Sequence, residues 1–222
     1  ATDTGGLYTS QDFTITINDI NDAPSAINLT GSLYVNENDT GGVVGNITTS
    51  DEDANENHTY TISGMNADSF EIINGQLKLK DNINPVYQTQ STYSITVAST
   101  DKGEAAISRD YIVEVNTAPT AFSLGNNSVD ENYVGSQVGA LTVIDANTND
   151  EFTYTISGEG AESFEVVDGQ LMVKSGTWLD YEAKSTYTLT IEITDQGGYS
   201  IEKTVIINVN DVDYGNPWFS EH

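Results

Sequence analysis

Carboxylates dominate the chemistry open to this chain, and they recur at matched positions. Glu37 and Glu131, Asp101 and Asp195, and the elements Asp51-Glu52-Asp53 and Asp145-Ala146-Asn147 each stand 94 residues apart. Further oxygen donors gather in two connecting stretches, Asp19-Ile20-Asn21-Asp22 and Asp211-Val212-Asp213. Hard oxygen ligands in such numbers suit calcium, which takes about six to eight of them in flexible geometry. Metals that prefer sulfur or nitrogen have little to bind, because the chain has no cysteine and 2 histidines. One isolated Asp-x-Asp is ordinarily a solvated strand end, so the recurrence is what points to a cation. An EF-hand over Asp51-x-Asp53-x-Asn55-x-Asn57 fails, since its last position falls on Ile62 instead of an acid.

Other chemistries find no support. With His58 and His222 as the histidines and no Gly-x-Ser-x-Gly or phosphate-binding glycine loop, the chain lacks nucleophilic and phosphoryl-transfer machinery. A glycosidase needs two carboxylates, but a catalytic pair would not be duplicated at strand ends. No enzyme is expected. Trp178 and Trp218 lie outside alternating strands, and an exposed indole can stack on a sugar face. Packing against a neighbouring loop or repeat is their plainer role.

With 34 Asp plus Glu against 7 Lys plus Arg, the formal charge of -27 excludes nucleic acid and anionic membrane as partners. No apolar run approaches the ~18 residues of a membrane span, so no membrane insertion is expected. The acids are interspersed with β-branched and aromatic residues, unlike a disordered acidic tail.

The elements that must position these acids follow from the repeat. Tyr60 to Lys80 align with Tyr154 to Lys174 at 13 of 21 positions, a fixed period that decides the architecture. Apolar and polar residues alternate with period two, so Tyr93, Ile95 and Val97, and Tyr187, Leu189, Ile191 and Ile193, point inward. Thr188, Thr190 and Glu192 fall on the wet face. Asn74-Gly75 and Asp168-Gly169 signal tight hairpins. About seven strands per repeat predict an all-β chain of two tandem immunoglobulin-like β-sandwiches. Repeat A is placed at residues 24–116 and repeat B at 119–210, with a short linker at 117–118 and a C-terminal linker at 211–222. Residues 1–23 read as the last strand of an upstream repeat plus its linker, since Phe13 to Asn18 match the ends of both later repeats.

Together these residues resemble the cadherin repeat, particularly its shorter bacterial cadherin-like form. The resemblance spans essentially the whole chain. It rests on the Glu-Asn pairs (37–38 and 131–132), Asp51-x-Asp53, Leu179-Asp180-Tyr181-Glu182, the Asp-x-Gly elements at Asp101 and Asp195, and Asp19-x-Asn21-Asp22. It implies seven-stranded Greek-key sandwiches and calcium at each junction. Ligands would come from the upper repeat's Glu and Asp-Tyr-Glu, the linker, and the lower repeat's Asp-x-Asp and Asp-x-Gly. Carried over, Asn21, Asp51, Asp53 and Asp101 form the N-terminal shell, with Asp19 and Asp22 nearby. Glu131, Asp180, Glu182, Asp211 and Asp213 form the C-terminal one. Between the repeats the pattern fails. The linker Asn116-Thr117-Ala118-Pro119 carries no carboxylate, Pro85-Val86-Tyr87-Gln88 replaces Leu-Asp-Tyr-Glu, and Asp145 pairs with Asn147. That joint, with Glu37, Asp145, Asn147 and Asp195 around it, is expected to bind calcium weakly or not at all and to hold by direct contact. The resemblance further implies a structural, adhesive segment of a bacterial surface or secreted protein, partnered by adjacent repeats and a cell-surface protein. The alternative is a calcium-dependent polysaccharide-binding module.

Overall fold

A computed structural model of the chain describes residues 1, 4–18, 20–53 and 57–212. Among them are sixteen strands, two single 3-10 turns and no α-helix. The first eight strands are β1 (Ala26–Gly31), β2 (Tyr34–Asn36), β3 (Val43–Ser50), β4 (Thr59–Ser63), β5 (Phe70–Ile73), β6 (Gln76–Leu79), β7 (Thr92–Thr100) and β8 (Ala106–Asn116). The second eight are β9 (Ala121–Leu124), β10 (Ser128–Asp130), β11 (Gln137–Ile144), β12 (Thr153–Gly158), β13 (Phe164–Val167), β14 (Gln170–Val173), β15 (Thr186–Thr194) and β16 (Ser200–Asn210).

Each set builds one sandwich. Sheet β1-β3-β6-β5 packs on β2-β8-β7-β4, and β9-β11-β14-β13 packs on β10-β16-β15-β12. The expected seven strands are present, the first of them divided. β1 pairs antiparallel with β3, whereas β2 crosses to the other sheet and pairs parallel with β8. Gly31 makes the crossing at φ +139, where a Cβ would collide with the Val44 carbonyl, so only glycine fits.

The cores follow the alternation. Tyr93, Ile95 and Val97 on β7 and Leu189, Ile191 and Ile193 on β15 are buried, facing Ile27, Leu77 and Leu79 in one sandwich and Phe122, Leu171 and Val173 in the other. Each such side chain contributes about 1.5–3 kcal/mol by leaving water. The repeat extends to ring packing, since Phe70 meets Tyr93 edge-on at 5.5 Å and Phe164 meets Tyr187 at 5.2 Å. Asn74-Gly75 and Asp168-Gly169 link β5 to β6 and β13 to β14 with positive φ at both positions, as a two-residue type I′ hairpin needs. Residues 7–18 form no strand; Phe13, Ile15 and Ile17 stand exposed, and the Thr9 N–H donates to the Ala1 carbonyl.

Candidate functional site

At the N-terminal end of the first sandwich, strand ends place the acids on neighbouring turns, without bringing three carboxylate oxygens within 4.8 Å of one another among the described residues. β3 stops at Ser50 and β7 at Thr100, so the turns that follow carry Asp51 and Asp53, and Asp101. The connecting segment seals them. Asn21 Nδ2 donates to Asp101 Oδ2 at 3.0 Å, the Asp22 N–H to Asp53 Oδ2 at 2.8 Å, and the Asp53 N–H to Asp51 Oδ1 at 3.1 Å. Gly103 leaves room for Asn21, whose side chain a Cβ would displace. Asp101 is 5% exposed, and its Oδ1 accepts the Ala105 N–H at 2.8 Å. None of the ion pairs among the described residues gives it a Lys or Arg. A buried carboxylate in that position is costly unless it is paired or ligates a cation. His58, not foreseen as a neighbour, bonds Asp51 Oδ2 at 2.9 Å. That hydrogen bond, reinforced by the Asp53 N–H, holds the Asp51 carboxyl below its usual range. Asp19 lies outside the described residues.

A second cluster sits at the far end of the second sandwich. Glu131 follows β10, while Asp180 and Glu182 lie in the loop between β14 and β15. One carboxylate oxygen from each falls within 4.8 Å of the others. The Glu-Asn pair explains how Glu131 is aimed. Asn132 adopts φ 61, a left-handed conformation that asparagine tolerates, and its N–H reaches the Leu179 carbonyl at 3.0 Å. Asn38 repeats the device at φ 65 beneath Glu37. Glu131 is 4% exposed and accepts N–H groups from Tyr181 at 3.0 Å and Val212 at 3.1 Å. Asp211 is exposed, and Asp213 falls outside the described residues.

The joint between the sandwiches has a different make-up. Asn116 Nδ2 donates to Asp195 Oδ2 at 3.0 Å, as Asn21 does to Asp101, and the Thr117 N–H donates to Asn147 Oδ1 at 2.9 Å, as Asp22 does to Asp53. The backbone plan is shared, but two carboxylates have become a hydroxyl and an amide. Glu37 sits on the upper side, its Oε1 accepting the Tyr87 N–H at 2.9 Å. The joint still holds acids: Asp145, Asp150 and Asp195 bring carboxylate oxygens within 4.8 Å of one another. Asp150 escaped the sequence reading, although Glu56, 94 residues earlier, marked the position as acidic. Desolvation, with Asp145, Asp195 and Glu114 adding repulsion, pushes its carboxyl up to about 6, against a 2.7 Å hydrogen bond from Gln196.

Comparison with known proteins agrees with this architecture. Residues 126–210 match the family model of the cadherin domain. Human Protocadherin Fat 1 is 29% identical over 226 residues, covering 93% of this chain and 5% of that protein. Mouse Protocadherin Fat 4 is 32% identical over 197 residues, covering 82% of this chain and 4% of that protein. The chain thus spans a small fraction of the length of these relatives. Among solved structures, the EC1-2 fragment of human Protocadherin-24 aligns over 87% of this chain and all of that one, at 23% identity and a TM-score of 0.39. The comparisons therefore show a cadherin domain at residues 126–210, in the second sandwich, and cadherin relatives that align across both sandwiches.

Proposed function

We propose that this chain is an extracellular, calcium-stiffened stretch of a larger adhesive surface protein. The observation that carries the reading is the convergence of Glu131, Asp180 and Glu182 within 4.8 Å at one tip of the second sandwich. Like charges so close repel unless a cation or proton joins them. The donor set fits calcium: hard oxygens on loops, oriented by backbone N–H groups, with no sulfur among the ligands. Asn21, Asp22, Asp51, Asp53 and Asp101 offer a second such shell at the opposite end. Residues 24–116 and 119–210 act as repeats A and B, with 1–23 and 211–222 joining them to neighbouring repeats. The exposed Phe13, Ile15 and Ile17 alternate as a strand of a preceding repeat would.

Calcium neutralises the clustered carboxylates, whose repulsion otherwise splays the connecting segments, and a flexible string becomes a stiffer rod. Its affinity falls in the range of extracellular modules, about 0.1–1 mM. Isothermal calorimetry with calcium tests the reading. Glu131→Gln together with Glu182→Gln removes the C-terminal binding event and leaves the N-terminal one. Calcium heats that match between wild type and variant would sink this assignment.

A second reading, calcium-dependent polysaccharide binding, has one observation behind it: Trp178, beside the C-terminal cluster in sequence, is 65% exposed. Retention on insoluble polysaccharide that Trp178→Ala abolishes would support it over adhesion.

A further inference from the structure

We infer that the joint between repeats A and B is a prebuilt hydrogen-bonded lock that fixes the two sandwiches without calcium. The inference stands whether or not the end clusters take the ion.

Its origin is a merger of two roles in one residue. In the N-terminal segment, Asn18 occupies the strand-end position and Asn21 reaches the acid of the next repeat. In the joint, Asn116 is the last residue of β8 and also the donor to Asp195. The shorter linker therefore draws the edge of repeat A directly onto the turn after β15, and that turn is gripped along its length. Tyr34 Oη donates to the Gln196 carbonyl, Asn36 Nδ2 to the Gly197 carbonyl at 2.9 Å, and Tyr199 Oη to the Glu37 carbonyl at 3.1 Å. Tyr87 Oη also donates to the Ala146 carbonyl at 3.0 Å, and Asn147 Nδ2 to the Val115 carbonyl at 2.9 Å.

Three properties make this a lock. The donors are phenols and amides, so the grip forms without a cation, whether or not one sits among Asp145, Asp150 and Asp195. Asn116 is fully buried and Asn147 nearly so, and their buried Nδ2 donors hold their acceptors firmly because the alternative is an unsatisfied N–H in a dry site. Gly197 has no Cβ where one would strike both Asn116 and Asn36, so the interdigitation is specified by the glycine.

The test uses the intact chain. Having no cysteine, it accepts spin labels at Thr61→Cys and Thr155→Cys, exposed and equivalent positions on β4 and β12. The expected result is one narrow distance distribution, identical in millimolar calcium and in chelator. Gly197→Ala wedges the asparagines apart and broadens it in both conditions, while circular dichroism shows both sandwiches still folded. Tyr199→Phe, which cannot disturb folding by steric bulk, broadens it to a smaller degree. A wild-type distance that broadens on chelation overturns the inference, as does a Gly197→Ala distribution as narrow as the parent's. Calcium binding at the chain ends is read separately by calorimetry, so failure there leaves this test intact.

Discussion

Asp150 stands at the joint with its carboxyl pushed above the ordinary aspartate range. Its carboxyl is raised to about 6, mainly by desolvation, so the native state holds a proton there more tightly than the unfolded chain, which binds it near 4. The associated stability is fully present below about pH 4 and is lost as pH rises through about 6. In chelator-treated buffer, Asp150→Asn therefore raises the melting temperature at pH 7, and calorimetric scans show the gain vanishing by about pH 4. Gly103→Ala belongs to the same scale: its Cβ displaces Asn21 from Asp101, so calorimetry shows calcium affinity at the N-terminal shell falling, and the melting temperature in chelator drops because the buried Asp101 loses a partner. Gly103 was marked in the sequence by its Asp-x-Gly element, whereas Asp150 was not conspicuous. Asp150 sits in a polar loop among other acids and amides, and only the folded loop shows which of them turns toward Asp195.

Strands and hairpins were the legible elements. Period-two alternation identified the buried faces of β7 and β15 because a half-buried strand has no other way to distribute its side chains. Ile191→Ala should cost about 2–5 kcal/mol in denaturant unfolding, whereas Thr188→Ala on the opposite face stays within about 0.5 kcal/mol. Asn74→Ala in the β5–β6 turn should cost about 1 kcal/mol, since alanine pays for φ 53 where asparagine is tolerated. The division of the first strand at Gly31 was less visible, because a sheet crossing leaves the alternation intact and changes only the partner.

Two separate cores, joined through polar contacts, make the whole molecule a doublet. If calcium binds only the folded form, each occupied site stabilises its repeat by about 1.4 kcal/mol at ten times Kd. Melting curves recorded with and without chelator should differ by a few degrees, and coincident curves would contradict the calcium reading. The sequence by itself determined the all-β class, the 94-residue repeat, the hairpin turns and the gathering of acids at strand ends. Each of these is written in local periodicity or in comparison of one copy with the other. Tertiary structure decided what stands across the joint: that Asn116 takes over the part of Asn21, that Tyr34, Asn36 and Glu37 meet a turn some 160 residues later, and that Asp150 completes an acidic trio. Those pairings depend on how one rigid sandwich is placed against the next. No periodicity along the chain encodes that placement, because it is set by linker length and by the side chains that happen to meet there.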